Sequence, residues 1–253
     1  MATSGETALV TGAAKRIGRA IAERLAREGY AVAVHCHRSR NAAEAVAASI
    51  RALGGRGAVI QADLSDAGAV ARLVGAARSA LGPLTLLVNN ASEFEPDAVE
   101  SLSLDRWERH FAVNLRAPAF LARDFAAQLP TDRHGSIINI VDQRVLKPNP
   151  QFLSYTLTKA ALFTATRTMA QALAPRIRVN AVGPGPTLAS PRQDADAFAR
   201  QSAALPLGHG ATPDEIADAV MFLARARAVT GQMIAVDGGQ HLAWETPDIG
   251  VTE

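Results

Sequence analysis

Short apolar runs alternate with longer amphipathic segments along this sequence, and this alternation is the feature that most restricts its fold. The apolar runs lie at residues 7–10, 31–35, 58–61, 84–88, 136–141, 177–182 and 233–236. The amphipathic segments lie between them, at 16–28, 41–53, 67–81, 103–129, 154–173 and 213–225. Strands that alternate with helices pair in parallel, and the helices cover both faces of the sheet. The pattern therefore predicts an α/β protein with a doubly wound, seven-stranded parallel sheet.

The chain is expected to form a single domain over residues 1–253, because no linker, repeat or low-complexity tract divides it. One stretch interrupts the alternation. Residues 187–212 read as irregular, with Pro191 and Pro206 inside them and Pro186 just before. Irregular segments of this length in a domain often cover a binding site. We therefore predict a substrate lid at about 187–212.

Composition excludes several classes of protein. The 26 basic and 24 acidic residues are scattered, so nucleic acid is not an expected partner. The one cysteine, Cys36, is expected to be a buried thiol; it allows no disulfide framework, and no metal site is predicted. No run of 18 apolar residues occurs and the first residues do not resemble a secretory leader, so no membrane association and a cytoplasmic location are expected.

A glycine-containing turn follows the first predicted strand and leads into the first helix. It reads Thr-Gly-Ala-Ala-Lys-Arg-Ile-Gly over residues 11–18. Gly12 permits a tight turn, Gly18 lets the helix approach the sheet, and the helix N-terminus then faces a pyrophosphate. An ordinary strand-to-helix loop is the alternative. The strand–turn–helix context favours a Rossmann-type dinucleotide site.

The end of the second strand indicates which dinucleotide binds. NAD-binding folds place Asp or Glu there to hold the ribose 2′-hydroxyl, whereas this sequence has His37, Arg38 and Ser39. Arg38 can pair with a 2′-phosphate, and Lys15 and Arg16 add positive charge nearby. A solvated basic turn is the alternative. We predict NADP (NADPH) rather than NAD.

Tyr155 and Lys159 are four residues apart at the start of the helix after the fifth strand, which places both on one helix face. A phenol ordinarily loses its proton near pH 10. A neighbouring ammonium favours the phenolate, so we expect Lys159 to lower the pKa of Tyr155 and make it a usable general acid. A surface pair is the alternative, but the position in a nucleotide-binding fold favours catalysis.

At this point the sequence resembles the short-chain dehydrogenase/reductase family over essentially its full length. The resemblance is carried by these motifs: Thr11-Gly12…Gly18, Asp63-Leu64, Asn89-Asn90-Ala91, Asn114, Tyr155…Lys159, Pro184-Gly185-Pro186-Thr187 and Asp237-Gly238-Gly239. It implies that the cofactor adenine lies by Asp63 and Leu64. Its ribose would lie along Asn90 and Ala91.

The resemblance also implies roles at the nicotinamide end. Lys159 would bind the nicotinamide ribose, Thr187 the carboxamide, and Asn114 a water molecule in a proton relay. The complete set of cofactor-binding residues expected from motifs and resemblance is Gly12, Lys15, Arg16, Ile17, Gly18, His37, Arg38, Ser39, Asp63, Leu64, Asn90, Ala91, Ser92, Tyr155, Lys159, Pro184, Gly185 and Thr187.

Two departures from the family pattern narrow the resemblance. Arg16 replaces the usual middle glycine of the first motif, and Asp142 replaces the usual serine thirteen residues before the tyrosine. With Ser92 and Phe94, this combination is similar to the pteridine reductase branch, which includes bacterial dihydromonapterin reductases. The similarity implies that Phe94 stacks on a pterin ring. Arg16 and Ser92 would then lie near the substrate.

The chemistry of a pterin fits an aspartate at position 142. A ketone reductase holds a carbonyl oxygen with serine, whereas a pterin offers a ring C=N whose nitrogen must receive a proton. An enclosed aspartic acid beside Tyr155 can stay protonated and pass that proton on. The alternatives are that Asp142 only caps the turn before Arg144 or pairs with it, and that Phe94 is a packed loop aromatic.

These observations predict an NADPH-dependent reductase of a pterin or dihydropterin. The expected catalytic residues are Tyr155, Lys159, Asp142 and Asn114, and the expected substrate-binding residues are Arg16, Ser92, Phe94, Asp142 and Tyr155. A ketone, quinone or 3-oxoacyl reductase is the alternative on the same fold. A non-catalytic NADPH-binding sensor is the alternative of another class. The family resemblance further implies a homotetramer with two-fold symmetry.

Overall fold

A computed structural model describes residues 5–190 and 192–244 of the chain. Seven parallel strands form one sheet in the order β3–β2–β1–β4–β5–β6–β7. The strands are β1 (Thr7–Val10), β2 (Ala31–Cys36), β3 (Gly57–Gln61), β4 (Leu86–Asn89), β5 (Gly135–Ile140), β6 (Ile177–Pro184) and β7 (Met233–Val236). The predicted class, Rossmann-type doubly wound with seven parallel strands, is confirmed.

Eight helices accompany these strands in the described part of the chain. They are α1 (Arg16–Arg27), α2 (Arg40–Ala52), α3 (Ala67–Leu81), α4 (Leu104–Phe111), α5 (Ala117–Gln128), α6 (Leu153–Leu173), α7 (Ala195–Ala203) and α8 (Pro213–Arg225). Most predicted boundaries lie within two residues of these. Over residues 5–190 and 192–244, none of these helices has the length and apolarity needed to cross a bilayer.

Side chains of β1 alternate between two separate cores, because successive strand residues point to opposite faces of the sheet. Ala8 and Val10 pack into one core with residues of α1, α2 and α8, and Leu9 packs into the other with residues of α3, α5 and α6. Leu9 is fully buried, so truncation to alanine would cost about 2–5 kcal/mol of unfolding free energy. The two cores pack against opposite faces of the sheet and so fix the positions of the strand ends.

The strand order reverses beside β1. The chain runs outward from β1 to β3 and then crosses to β4, on the other side of β1. Thr11 N–H bonds to Val88 O at 3.0 Å, which joins the two carboxyl ends at this point. Helices on opposite faces leave a crevice where the order reverses, and ligands bind there in open α/β sheets.

The helix predicted over 103–129 is present from 104 to 128, but it is not a regular α-helix throughout. The structure has α4 and α5 joined by a π-helical turn, Ala112–Arg116. Pro118 explains the interruption, since it has no N–H to donate to the carbonyl four residues earlier, that of Asn114. Single π turns inside helices frequently occur at functional sites, and Asn114 lies in this one.

The predicted lid at 187–212 is not irregular throughout, since it contains α7. Asp194 begins that helix as its N-cap, with its carboxylate accepting the N–H of Ala197 at 2.6 Å. The helix was not predicted because prolines precede and follow it in the sequence, and prolines are typical of irregular segments. Pro191, a residue of the predicted lid, lies outside the described residues, as do residues 245–253.

Candidate active site

The turn after β1 exposes the N-terminus of α1 at the crevice. Gly12 has a φ of +63°, in the left-handed region that favours glycine. A Cβ at Gly18 would lie 2.2 Å from the carbonyl oxygen of Gly12, so only glycine allows α1 to start this close to the turn. Lys15, the N-cap of α1, provides no side-chain cap within the described structure. The first N–H groups of α1 therefore remain for an anion such as a pyrophosphate.

Buried polar groups hold this turn in place. His35 Nδ1 accepts the N–H of Gly12 at 3.0 Å, so His35 Nε2 carries the hydrogen that it donates to Ala62 O at 3.1 Å. Burial lowers the pKa of His35 to about 4, so the ring is neutral near pH 7. Asn90 Nδ2 donates to Thr11 O at 2.8 Å and links the turn to the end of β4. These hydrogen bonds within the protein therefore fix the conformation of the turn after β1.

A cleft of about 370 Å³ runs along this turn at the carboxyl ends of β1, β2 and β4. Most of its lining consists of predicted cofactor-binding residues, and these are Gly12, Lys15, Arg16, Ile17, Gly18, His37, Asp63, Leu64, Asn90, Ala91 and Ser92. His35, Glu93 and Val113 complete the lining and were not predicted as site residues. We refer to this as the first cleft.

Residues 37–39 lie at the end of the first cleft, after β2. Arg38 is exposed, and Ser39 is the N-cap of α2 without a side-chain capping bond. His37 Nε2 is 3.4 Å from Asp63 Oδ2, and Asp63 Oδ1 also accepts bonds from Ser65. Arg38 and Ser39 do not line the cleft, although they directly follow His37, which does.

A second cleft, of about 470 Å³, continues from the first toward the segment after β6. Arg16 and Ile17 line both clefts. The other predicted site residues in the second cleft are Phe94, Asp142, Tyr155, Pro184, Gly185 and Thr187. The structure therefore brings the predicted substrate residues together beside the predicted cofactor residues.

Asp142 and Tyr155 are in direct contact. The Tyr155 hydroxyl donates to Asp142 Oδ2 at 2.8 Å, and Asp142 Oδ1 accepts the backbone N–H of Arg144 at 2.8 Å. The Arg144 guanidinium is also near, with Nε 3.9 Å from Asp142 Oδ1. The carboxyl group therefore caps the turn after β5 with one oxygen and contacts the phenol with the other.

The expectation that Lys159 lowers the pKa of Tyr155 is wrong for this structure. Burial and the neighbouring Asp142 carboxyl raise the pKa of Tyr155 well above its ordinary value, and Lys159 does not offset them. The physical reason is distance: Lys159 Nζ is 5.7 Å from the phenol ring centroid and donates instead to Ile140 O at 2.8 Å. The phenol holds its proton firmly at neutral pH.

Burial shifts the two charged partners toward their neutral forms. It raises the pKa of Asp142, although the Arg144 N–H, the Tyr155 hydroxyl and the charges of Arg144 and Lys159 oppose the change. It lowers the pKa of Lys159 to about 8, although the Asp142 charge opposes this change. Perturbed groups that share a cleft are typical of catalytic sites.

Asn114 and Lys159 lie beneath the clefts and do not line them. Both are almost fully buried. The Asn114 amide oxygen accepts from Ser92 Oγ and Glu93 N, and its nitrogen donates to Glu93 O and Thr158 Oγ1. These four bonds engage the whole amide, so the side chain is committed to holding residues 92 and 93.

An aromatic group forms one wall of the second cleft. The ring of Phe94 stacks on that of Phe152 with centroids 4.2 Å apart and an 8° angle, and it meets the edge of Tyr155 at 4.6 Å. Arg144 and Arg192 lie against this group, with guanidinium carbons 5.0 Å from the Phe152 centroid and 5.6 Å from the Phe94 centroid. Phe94 is thus part of a stack, with another protein ring against one face.

Two arginines connect the segment after β6 to the rest of the site. Arg16 donates to the carbonyls of Leu188 and Ala189 at 3.1 and 3.0 Å. Arg192 donates to Glu95 Oε2 at 3.1 Å and to Phe94 O at 2.7 Å. Residues 188, 189 and 192 are therefore hydrogen-bonded to residues that line the clefts.

Several residues of the two clefts and their surroundings were not predicted as site residues. Phe152 and Arg192 carry no motif, and their contacts join segments far apart in the chain. Arg144 was considered only as a partner of Asp142. His35 lies at the end of β2, two residues before His37, and this position was a usable signal.

A doubly wound sheet with an open helix N-terminus at the crevice, and a buried tyrosine and lysine with a half-buried aspartate beside it, defines an oxidoreductase of the dinucleotide-binding type. Residues 12–241 match the family model described as enoyl-(acyl carrier protein) reductase. The chain belongs to the short-chain dehydrogenase/reductase family, and the resemblance found in the sequence is confirmed.

Two solved structures are similar to this chain over almost its full length. FolM alternative dihydrofolate reductase 1 from Brucella canis, complexed with NADP, is 52% identical with a TM-score of 0.93, covering 99% of this chain and 100% of that chain. The Brucella suis protein of that name, also in complex with NADP, is 55% identical with a TM-score of 0.94, covering 96% and 98%. Dihydrofolate contains a pteridine ring, so these neighbours agree with the branch indicated by Arg16 and Asp142.

A relative with a different activity is also similar. The 3-oxoacyl-[acyl-carrier-protein] reductase FabG of Staphylococcus aureus is 37% identical over 243 residues, covering 94% of this chain and 98% of the relative. That protein is named for reduction of a ketone carried on a protein thioester. The family therefore contains both of the substrate classes considered for this chain.

Proposed function

We propose that this protein is an NADPH-dependent reductase that transfers hydride to the C=N bond of a pterin or dihydropterin. The observation that carries the proposal is the 2.8 Å hydrogen bond between Tyr155 and Asp142 in a cleft whose wall includes Phe94. A planar heterocycle bound against Phe94 would have this proton-bearing pair beside it. The FolM structures from two Brucella species support the same substrate class.

The first cleft fits NADPH. The uncapped N-terminus of α1 provides N–H donors for the pyrophosphate, and Lys15 and Arg16 line the same cleft. Arg38, next to His37 of the lining, would pair with the 2′-phosphate. Residues 37–39 include no carboxylate to repel that phosphate. When bound, NADPH supplies the hydride for the reduction. Both FolM neighbours contain NADP, which supports the same assignment here.

Asp142 and Tyr155 supply the proton. Burial raises the pKas of both groups, so each holds a proton more tightly than it would in water. The substrate nitrogen would take the phenolic proton from Tyr155, and a protonated Asp142 would replace it once their 2.8 Å hydrogen bond reverses and the carboxylic acid donates to the phenol oxygen. Lys159 donates to Ile140 O and is not assigned a part in this proton transfer.

The test is NADPH oxidation with dihydrobiopterin, dihydromonapterin and dihydrofolate as separate substrates. Turnover of at least one, with the tetrahydro product identified by mass, is the expected result. No turnover of any of the three would reject the pterin assignment. NADH in parallel reactions measures the cofactor preference, and equal rates with NADH would reject the NADP assignment.

Reduction of a carbonyl group, as in a ketone or 3-oxoacyl thioester, is the second candidate. The similarity to FabG favours it, since FabG is named for 3-oxoacyl reduction. Asp142→Ser distinguishes the two. A pterin reductase should lose activity in this variant, whereas a carbonyl reductase should retain or gain activity because a serine hydroxyl holds a carbonyl oxygen.

A further inference from the structure

Three buried polar side chains, Asp97, His110 and Ser154, lie next to the proposed site but outside its chemistry. They are 5%, 1% and 0% exposed, respectively. His110 is on α4 and Ser154 is in the first turn of α6, directly before Tyr155. Asp97 belongs to residues 93–97, the segment that carries Phe94. Their hydrogen bonds join these three parts of the molecule.

The direction of these hydrogen bonds is fixed by one backbone donor. Glu95 N–H donates to His110 Nε2 at 3.1 Å, so the neutral ring carries its hydrogen on Nδ1. Nδ1 then donates to Ser154 Oγ at 2.5 Å, and Ser154 Oγ donates to Asp97 Oδ2. Burial lowers the pKa of His110, in agreement with the neutral form. The four groups form a chain with a single arrangement of hydrogens.

Asp97 also caps α6 from outside that helix. Phe152, the N-cap of α6, has a φ of 58° and no side-chain capping bond. Asp97 Oδ1 accepts the N–H of Ser154 at 3.2 Å, and Asp97 O accepts the N–H of Leu153 at 3.3 Å. These bonds replace the missing cap. They also hold α6, with Phe152 and Tyr155, against the segment of Phe94.

The backbone on both sides of Phe94 is therefore anchored. Glu93 is held by Asn114, Glu95 by His110, and Asp97 by Ser154. The Phe94 ring contacts Phe152 and Tyr155, which lie on either side of Ser154 in the sequence. A shift of Ser154 or Glu95 would change the separation between the aromatic wall and the Tyr155 hydroxyl.

We propose that Asp97, His110 and Ser154 are positioning residues that set the spacing between Phe94 and Tyr155, and with it the affinity for a flat heterocyclic substrate. The inference rests on the proposed function for the identity of that substrate. None of the three is expected to touch substrate or cofactor. Their loss should raise the KM for a dihydropterin more than it lowers kcat.

Two substitutions of His110 separate its two contacts. A glutamine oxygen can occupy the position of Nε2 and accept the Glu95 N–H, whereas alanine cannot. Hydrogen–deuterium exchange of a peptide covering residues 92–99 should therefore be faster in His110→Ala than in the wild type, with His110→Gln close to the wild type. The measurement requires no substrate. Equal exchange in all three proteins would overturn the proposal.

Kinetics with the preferred dihydropterin test the consequence. Ser154→Ala and Asp97→Asn should each raise KM roughly tenfold, since each breaks buried hydrogen bonds, with kcat changed less than threefold. Thr156→Ala is the matched control, because Thr156 is on the same turn of α6 and its buried hydroxyl has no hydrogen-bond partner in the described residues. It should leave KM unchanged. An equal effect of all three variants would indicate a general loss of packing and would overturn the proposal.

Failure of the proposed function would be visible separately. A wild-type protein without pterin turnover would reject that function, while the exchange experiment would still decide whether the chain positions residues 93–97. The Kd of NADPH, measured by fluorescence, should stay within twofold in every variant that folds. A variant that loses NADPH binding is replaced in the comparison by His110→Gln, which keeps the buried volume largely filled.

Discussion

Asp142 contacts Tyr155 with one carboxyl oxygen and caps the following turn with the other. Oδ2 receives the phenolic hydrogen at 2.8 Å, and Oδ1 receives the Arg144 N–H at 2.8 Å. The sequence posed the cap and the proton donor as alternatives, but the two contacts use different oxygens. The two roles can therefore be tested separately, by a substitution that preserves the capping hydrogen bond but removes the carboxyl group that could donate a proton.

Asp142→Asn makes that separation. The amide oxygen can still accept the Arg144 N–H, but the amide group cannot deliver a proton. We expect kcat for a dihydropterin to fall by about 10²–10⁴, the usual contribution of a general acid, with the Kd of NADPH within twofold. Steady-state rates and fluorescence titration measure the two quantities. A kcat near that of the wild type would leave Asp142 with the cap alone.

The same variant gives a stability prediction with a defined sign. The pKa of Asp142 in the folded state is raised above its unfolded value of 3.8, so the folded state binds this proton more tightly. Stability contributed by the group is full below the unfolded pKa and is lost as pH rises through the raised pKa. Asp142→Asn should therefore show less loss of unfolding free energy between pH 4 and 8 than the wild type, measured by urea denaturation.

Tyr155→Phe tests whether the chain is an enzyme or a sensor. The ring would remain packed on Phe94, while the hydroxyl that contacts Asp142 would be absent. We expect NADPH to bind as before and reductase turnover to fall at least 100-fold. If a strain carrying this variant kept the full biological activity of the protein, a non-catalytic NADPH-binding role would be supported instead.

His35 should make the protein sensitive to acid. Its folded pKa of about 4 lies below the ordinary 6.5, so the unfolded state binds the proton more tightly. The stability that neutral His35 contributes is present above pH 6.5 and is lost as pH falls toward 4, by about 3 kcal/mol in total. His35→Asn should reduce this slope. His134→Asn, at an exposed position, is the control and should leave it unchanged.

Arg38 should determine the affinity for the 2′-phosphate. It is exposed and directly follows His37, which lines the first cleft, so alanine there should leave folding unaffected. We expect Arg38→Ala to raise the Kd of NADPH about tenfold, as for loss of one charge-assisted contact, and to leave the Kd of NADH unchanged. Arg72→Ala on α3, also exposed, is the control. A parallel loss of NADH binding would contradict a phosphate-specific role.

Local patterns were sufficient for most of the fold. Each strand and most helices follow from the spacing of apolar residues, and that spacing is fixed by side-chain geometry within a single element. The π turn at Ala112–Arg116 was missed because it depends on Pro118 and on the contacts of Asn114 with residues 92 and 93. Helix α7 was missed because the surrounding prolines concealed its cap at Asp194.

Site residues that belong to sequence motifs could be predicted, and those outside the motifs could not. Motif positions predicted most of the first cleft, because the glycines and the crevice are built by local turns and strand ends. Phe152 could not be predicted, since it has a left-handed φ of 58° and the residues after it are hydrogen-bonded to Asp97, more than fifty residues away. The raised pKa of Tyr155 depends on its burial, which a sequence does not state.

Arg16 occupies a backbone conformation that suits glycine. It is the first residue of α1 and has a φ of 54°, and a residue with a side chain pays about 1–3 kcal/mol in this region. Its guanidinium reaches the carbonyls of Leu188 and Ala189 and holds the segment after β6 over the second cleft. Glycine would remove the backbone strain at this position, but it could not make these two hydrogen bonds.

Arg16→Gly should separate strain from lid attachment. Relief of the left-handed φ offsets the added freedom of glycine in the unfolded chain, so the Tm should change by only a few degrees. Without its two hydrogen bonds the segment after β6 should open more often, and trypsin should cut at the exposed Arg200 in α7 several times faster. The KM for a dihydropterin should rise about tenfold, because the cleft is less often closed.

Arg19→Ala removes an exposed pair with Glu23 on the same helix and should alter neither cleavage nor KM. Unchanged cleavage at Arg200 in Arg16→Gly would show that the two carbonyl contacts do not hold the lid.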